Sequence, residues 1–280
     1  MSNSRSDHGN LVLSFVGDQS VHPTWLGGST GQNGATGLEG SEPRRFDLAL
    51  VYFGDDPSHR ERQECDFYLA EKGFKYWRLK ELAATKLRDL LARYERVWLP
   101  DDDIAADTPR INRLFDLFEK YRLQIAQPAI AAGEVSYNAL CVDPRFEVRF
   151  TGYAEVMCPL FRREALQRCL PTFQESRSSW GLDWLWASLY SKREIGVIDA
   201  VGVEHTRPLA TGSLYQKLAK MGVTPGDEFR AIRRRHGIRK RGYRRALLNG
   251  TARVRGVTAE GTEMWNRPLL EGWLGRRQAA

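Results

Sequence analysis

Short apolar runs alternate with segments of helical periodicity along most of the chain, and this alternation constrains the fold more than any other feature. Residues 11–16 and 46–53 are apolar runs that end in Gly-Asp turns, which is typical of buried strands. A clear amphipathic helix is marked by apolar residues at helical spacing, namely Ile111, Leu114, Phe115, Phe118 and Tyr121. Strands that alternate with helices predict an α/β fold with a largely parallel sheet that is covered by helices on both faces, the doubly wound arrangement.

The same patterns predict the other elements and the place of a ligand site. Strands are expected at residues 74–79, 97–99, 123–130, 155–161 and 195–203, and helices at 58–71, 82–94, 162–170 and 182–191. In such sheets, ligands bind at the carboxyl ends of the strands. Asp18, Asp55 and Asp101 follow three predicted strands, so the site is expected at that edge.

Composition narrows the class of protein. The chain has 280 residues, of which 42% are hydrophobic, enough for a substantial core. No apolar run of about 18 residues predicts a membrane span, and the N-terminus lacks the pattern of a signal peptide. A cytoplasmic protein is therefore expected. Its four cysteines, which include no CxxC pair, are expected to be reduced thiols.

The positive charge is concentrated in one segment. Residues 229–256 contain eleven Lys and Arg residues and no acid, whereas the rest of the chain has 31 basic and 35 acidic residues. Such a segment favours peripheral contact with an anionic membrane or another polyanion. A solvated helix face without a partner is the alternative.

The most informative polar motif is a run of three aspartates, Asp101, Asp102 and Asp103, directly after the strand at residues 97–99. Adjacent carboxylates repel one another, so a positive group is expected to compensate them. In an extended chain alternate side chains share a side, which puts Asp101 and Asp103 together and Asp102 opposite. Two carboxylates on one side suit Mg²⁺ or Mn²⁺.

Other acidic motifs fit this run less well. A calcium loop counted from Asp101 would need Gly in place of Ala106 and Glu in place of Asn112. An aspartyl-phosphate phosphatase would have Thr or Val in place of Ala105. A structural turn, with Thr108 as the N-cap of the next helix, stays open but does not require three aspartates.

Five blocks in order carry a resemblance to known proteins: YERVWLPDDDI, YRLQIAQPAI, TGYAEVMCPLFRRE, WGLDWLW and IGVIDAVGVEH. Together they resemble a family of uncharacterised plant and bacterial proteins related to glycosyltransferases of the GT-A fold, over roughly residues 45–210. That family tends to have Asp-Glu-Asp where this chain has Asp-Asp-Asp, so the outer carboxylates are kept. The resemblance implies a nucleotide-sugar-dependent glycosyltransferase whose acidic motif binds a metal ion and the donor diphosphate.

The resemblance also implies a GT-A-like α/β fold, with a mixed, mostly parallel sheet sandwiched by helices, and a division of the chain. We expect a disordered N-terminus at residues 1–10, a GT-A-like catalytic domain at 11–212 and a basic, mainly helical extension at 213–280. The extension and the glycine-rich stretch at residues 27–40 fall outside the resemblance. The choice of acceptor is therefore not inherited from the family.

The expected metal ion is Mn²⁺ or Mg²⁺, held by Asp101 and Asp103, with His205 as a third ligand because imidazole beside carboxylates suits manganese. A structural histidine is the alternative. The expected donor contacts are Asp18, Asp55, Asp101, Asp102 and Trp180. Capping or turn roles stay open for the first two.

Two further acids are candidates for catalysis. Asp183 lies in the tryptophan-rich block WGLDWLW at a predicted helix start, where it could act as the general base of an inverting transfer. Glu155 lies in an apolar run, where an unpaired charge is costly, and is expected to contact the acceptor hydroxyl or the base. A helix-terminal charge and an internal salt bridge are the respective alternatives. Trp184 and Trp186 are expected in the core.

The sequence thus predicts a metal-dependent glycosyltransferase with a glycan or glycolipid acceptor, located in the cytoplasm or peripherally at the inner membrane face. A nucleotidyltransferase could use the same sheet and carboxylates, and a nucleic-acid-directed glycosyltransferase could use the basic segment. Three cations, Lys75, Arg78 and Lys80, could offset the charge of the diphosphate, but their positions at a helix start favour exposure at the surface.

Overall fold

The computed structural model describes residues 9–27, 42–209, 213–238 and 252–266. Most of the glycine-rich stretch at 27–40, the expected disordered N-terminus before Gly9, and residues 239–251 of the basic segment lie outside the described residues. The first strand begins at Asn10. The expected division of the chain into domains stays a prediction.

Eleven strands of the described residues form one mixed sheet. They are β1 (Asn10–Val16), β2 (Asp47–Tyr52), β3 (Phe67–Ala70), β4 (Arg96–Trp98), β5 (Ile104–Ala105), β6 (Ile125–Gly133), β7 (Val148–Phe150), β8 (Leu160–Arg162), β9 (Ile195–His205), β10 (Arg255–Val257) and β11 (Glu263–Trp265). The spatial order is β11-β10-β7-β9-β6-β8-β4-β1-β2-β3, and β5 pairs with β9.

Helices flank this sheet. They are α1 (Lys75–Ala83), α2 (Arg88–Leu91), α3 (Thr108–Lys120), α4 (Arg163–Cys169), α5 (Leu182–Leu189), α6 (Ser213–Lys220) and α7 (Pro225–Arg235), with short 3₁₀ helices between some of them. The core packs between sheet and helices and includes fully buried aromatic residues such as Trp98, Phe118 and Phe161. The expected α/β class, a mixed sheet sandwiched by helices, is confirmed.

The strand directions bring several chain segments to one edge of the sheet. β1 pairs in parallel with β2 and β4, and β6 pairs in parallel with β9. Because β8 lies antiparallel between β4 and β6, the strands β4, β6 and β9 also share a direction. The carboxyl ends of β1, β2, β4 and β9 therefore lie at the same edge.

Four predicted elements differ in the structure, and one of them is the helix expected at residues 82–94: α1 ends at Ala83, and a separate α2 covers only Arg88–Leu91. Residues 58–71, expected as a helix, form a 3₁₀ turn at His59–Arg62 and then strand β3, while residues 74–79, expected as a strand, lie in α1. The strand expected from residue 155 begins only at Leu160. The N-cap of α3 is Asp107, whose side chain accepts a hydrogen bond from the Arg110 amide at 2.9 Å, and not Thr108.

Candidate active site

A cavity of about 950 Å³ opens at this edge of the sheet. Seven of the nine residues predicted for the site line it: Asp101, Asp102, Asp103, Glu155, Trp180, Asp183 and His205. They come from the end of β4, the end of β9, the segment before β8 and the start of α5. Segments far apart in sequence thus meet where ligands bind in α/β sheets.

Asp18 and Asp55 lie outside the wall of this cavity. Asp18 accepts a hydrogen bond from the Tyr52 hydroxyl and lines a smaller cavity of about 240 Å³ beside His22 and His59. Asp55 is exposed and pairs with Lys72. Their expected contacts with the donor stay predictions.

Two of the three aspartates in the acidic run are compensated by cations. The Lys75 ammonium donates to Asp101 Oδ1 at 2.7 Å, and its side chain is only 13% exposed. Asp102 is buried and accepts hydrogen bonds from Arg207 at 2.9 Å and from the Gly17 amide at 2.8 Å. Desolvation by the cavity walls outweighs Lys75 and raises the pKa of Asp101.

Asp103 meets His205 because strand β5 pairs with the end of β9, with Ile104 opposite His205. The His205 Nε2 atom lies 3.5 Å from Asp103 Oδ2, and His205 Nδ1 lies 2.9 Å from the carbonyl of Glu134. A carbonyl oxygen can only accept, so Nδ1 carries a proton and Nε2 faces the carboxylate.

Asp103 and His205 each shift the pKa of the other. The hydrogen bond with Asp103 raises the pKa of His205 despite the opposing effect of burial. Burial raises the pKa of Asp103, but His205 and Arg207 outweigh it and hold this pKa below its usual value. Metal binding needs the ionised carboxylate that is present here, but it also needs a neutral imidazole, so a metal ion would have to displace the proton that Asp103 stabilises on His205.

The donor set at this point fits a divalent cation with two protein ligands. Among the described residues there is no group of three or more His, Cys, Asp and Glu side chains placed to hold a metal ion, and Asp101, which pairs with Lys75, stays a predicted third ligand. However, Asp103 Oδ1 is buried without a hydrogen-bond partner among the described residues, on the carboxylate whose Oδ2 atom faces His205 Nε2. Mg²⁺ and Mn²⁺ commonly take one or two protein ligands and complete their shell with water and substrate phosphate.

Asp183 lies in the first turn of α5 and is buried against the cavity. Its carboxylate accepts hydrogen bonds from the Tyr153 hydroxyl at 2.5 Å and from the Trp184 amide at 2.7 Å. The helix begins after Gly181, which has a φ of 93°; a Cβ at this position would lie 2.9 Å from the Phe229 ring. The close approach of α7 therefore favours glycine at this turn.

Glu155 is a buried carboxyl group whose Oε2 atom has no hydrogen-bond partner. Burial is the main cause that raises its pKa to about 7, and the nearby charge of Asp183 adds to the effect. Glu155 is therefore largely protonated below neutral pH, and could donate a hydrogen bond into the cavity.

The tryptophans near Asp183 divide into two environments. Trp180 is 45% exposed at the cavity mouth, whereas Trp184 and Trp186 are buried. Trp186 packs against Tyr76, Phe161 and Phe173 in the core. Trp184 also borders the cavity, where it packs on the Phe229 ring.

Several cavity residues escaped the sequence analysis. Lys75 was expected at the surface, and Arg177, Arg207, Lys217 and Lys220 were not singled out; nor was Tyr153, which is not part of the cavity wall but donates a hydrogen bond to Asp183. Arg207 follows the end of β9 by two residues, so the rule that ligands gather at strand ends could have found it. Lys75 and Tyr153 carry no comparable local signal.

Comparisons with known proteins give weak likenesses. No family model matches the chain, and no curated protein matches it. Among solved structures, S. aureus TarS matches with a TM-score of 0.43 and 11% identity, over 80% of this chain and 43% of that chain. This chain thus spans less than half of that TarS chain.

Two further solved structures are similar at the same level. A putative nucleotide-diphospho-sugar transferase from Desulfovibrio desulfuricans G20 matches with a TM-score of 0.40 and 14% identity, over 80% of this chain and 98% of that chain. A shorter piece of TarS matches with a TM-score of 0.43 and 12% identity, over 81% and 71% of the two chains. Likenesses this weak decide neither the fold nor the activity of this chain.

Proposed function

We propose that the cavity is the active site of a glycosyltransferase, which moves a sugar from a nucleotide-diphosphate donor to a hydroxyl group of a glycan or glycolipid. The observation that carries this proposal is the meeting of Asp103 and His205 with Asp183 and Trp180 in one cavity at the carboxyl edge of the sheet. The ordered sequence blocks that resemble relatives of the GT-A glycosyltransferases support the same assignment.

Asp103 and His205 would hold Mn²⁺ or Mg²⁺, which when bound neutralises the negative charge that develops on the departing diphosphate. The ion pairs of Lys75 with Asp101 and of Arg207 with Asp102 support this assignment. These pairs neutralise Asp101 and Asp102, whereas Asp103 has only the more distant Arg207, at 3.9 Å, and His205 as positive neighbours, so it is the carboxylate most available to a cation. Asp101 and Asp102 would act as further donor contacts.

Asp183 would accept the proton of the acceptor hydroxyl as it attacks the sugar. The hydrogen bonds from Tyr153 and from the Trp184 amide fix the orientation of its carboxylate. Glu155, which is neutral below about pH 7, would donate a hydrogen bond to a sugar hydroxyl. Trp180 would pack its exposed ring against the C–H face of a sugar.

The location of the protein stays an expectation. No helix of the described residues is both long enough and apolar enough to span a bilayer. Contact of residues 229–256 with an anionic membrane or another polyanion, and a cytoplasmic location, are predictions of the sequence.

The assignment is tested by turnover of UDP-, GDP- and CMP-sugars, each with and without Mn²⁺. We expect Mn²⁺ to stimulate release of the nucleotide from one class of donor. Because Asp183 is the proposed base, Asp183→Asn should lower transfer by roughly 10²-fold or more while the KM for the donor stays unchanged.

The matched control is Asp89→Asn, since Asp89 also lies in the first turn of a helix but is 78% exposed. This variant should turn over the donor like the unmodified protein. Release of pyrophosphate from a nucleoside triphosphate would instead indicate nucleotidyl transfer. Full transfer by Asp183→Asn would exclude Asp183 as the base.

A further inference from the structure

Three cations that line the cavity have no carboxylate of the described residues within 4 Å, although the charge of one of them, Lys217, helps to lower the pKa of Asp55. They are Arg177, in the loop before α5, and Lys217 and Lys220, on α6. Lys217 and Lys220 are exposed and lie three residues apart, so both occupy one face of the helix. We call these three residues the rim cations.

The rim cations differ from the other cations of the cavity. Lys75 forms an ion pair with Asp101, and Arg207 forms one with Asp102. The positive charges of these two residues are therefore already compensated by carboxylates of the protein. The guanidinium of Arg177 lies over the Trp77 ring, 5.1 Å from its centroid, which leaves its N–H donors without a carboxylate acceptor. Like charges on one concave surface repel one another unless an anion lies between them.

One of the rim cations, Arg177, lies close to the proposed base in the chain, and Lys217 and Lys220 line the same cavity from α6. Arg177 and Trp180 belong to the same short loop as the start of α5, which carries Asp183, the proposed base. Met221, next to Lys220, is 48% exposed and also lines the cavity. The rim therefore combines positive charge with exposed apolar side chains, a combination suited to a saccharide that carries an anionic group.

We propose that the rim cations form a subsite for an anionic acceptor, a saccharide that bears a phosphate or carboxylate group. Arg177 would bind the anion in a bidentate manner, and Lys217 and Lys220 would add charge-assisted hydrogen bonds. This inference rests on the proposed function and names the class of its second substrate.

The test is calorimetric binding of glucose 6-phosphate, glucuronate and glucose to the full chain in metal-free buffer. We expect both anions to bind more tightly than glucose. The variant Lys217→Gln/Lys220→Gln should weaken the binding of glucose 6-phosphate by roughly tenfold or more, and Arg177→Gln should do so by a similar factor.

The matched control is Arg93→Gln/Arg122→Gln, which removes two positive charges from exposed side chains outside both the cavity wall and the basic segment at residues 229–256. This variant should bind glucose 6-phosphate like the unmodified protein, whereas an equal loss would show a general effect of net charge and overturn the proposal. Binding of glucose 6-phosphate that is no tighter than that of glucose, or is unchanged in Lys217→Gln/Lys220→Gln, would also overturn it.

A parallel titration with UDP separates this subsite from the donor site. If the lysine variant loses affinity for UDP but keeps its affinity for glucose 6-phosphate, the rim cations bind the donor and the proposal is wrong. Because these titrations contain neither metal ion nor nucleotide sugar, they can succeed where donor turnover fails. The failure of the subsite and the failure of the proposed function are thus distinguishable.

Discussion

Glu155 is the clearest case of a buried acid that the fold keeps protonated. Its Oε2 atom lies in the protein without a partner, and burial raises its pKa to about 7. In the unfolded chain the same carboxyl ionises near pH 4.5. The folded state therefore binds more protons than the unfolded state between these pH values, and folding stability falls as the pH rises through this window.

Glu155→Gln should remove this pH dependence, because glutamine resembles the protonated acid and cannot ionise. We expect the stability of the variant relative to the unmodified protein to increase by roughly 2 to 3 kcal/mol between pH 5 and pH 8. Urea unfolding at several pH values measures this difference. The exposed Glu204→Gln serves as the control, and a difference that is flat with pH would contradict the protonated state of Glu155.

At the scale of single residues, the sequence predicted which acids lie in the site better than it predicted which cations pair with them. Asp101, Asp103 and His205 follow the ends of strands, so the strand-end rule located them. Their partners reach the site from elsewhere: Lys75 and Asp101 are 26 residues apart, and Arg207 and Asp102 are 105 residues apart. Such pairings depend on tertiary structure and leave no local pattern in the sequence.

Among the elements, α7 has an unexpected role in shaping the site. The Glu228 carboxylate accepts hydrogen bonds from the Ser176 hydroxyl at 3.0 Å and from the amides of Arg177 and Ser178, both at 2.8 Å. Burial raises the pKa of Glu228, but these donors outweigh it and hold the pKa below its usual value. Helix α7 therefore fixes the loop that precedes Asp183, although it lies in the expected C-terminal extension.

Glu228→Ala should destabilise the protein by roughly 2 kcal/mol, because two amides and a hydroxyl lose a charged acceptor. It should also increase hydrogen exchange at the amides of Arg177 and Ser178. Urea unfolding and exchange measured by NMR test both effects. Arg234→Ala, on the exposed side of α7, is the control; unchanged exchange in Glu228→Ala would show that α7 does not hold this loop.

At the scale of elements, the secondary structure predicted from local sequence patterns was wrong in the stretch at residues 58–83. Phe74, Tyr76 and Leu79 suggested a short strand, yet Tyr76, Leu79 and Leu82 are the buried face of α1, at a spacing of three residues. Within the described part of the chain, strand β3 pairs only with β2 and is half-buried, so its sequence carries little strand signal. A short apolar run is compatible with the repeat of a strand and with the repeat of a helix. Which of the two forms depends on the elements against which the run packs.

At the scale of the whole molecule, the sheet explains why one edge holds the site. The alternation of strands and helices predicted the parallel pairs and hence the shared edge of β1, β2, β4 and β9. It did not predict the antiparallel insertion of β8 between β4 and β6, because the direction of so short a strand has no sequence signal. The segment before β8 carries Glu155 into the cavity.

The central claim is that a divalent cation binds jointly to Asp103, His205 and the diphosphate of a nucleotide. Electron paramagnetic resonance of free Mn²⁺ measures this directly, in titrations with UDP and GDP. We predict that the protein with its matching nucleotide lowers the free Mn²⁺ signal more than nucleotide and protein do separately. Asp103→Asn should lose this effect and Asp89→Asn should keep it; an equal signal with and without the protein, or in Asp103→Asn and the unmodified protein, would contradict the claim.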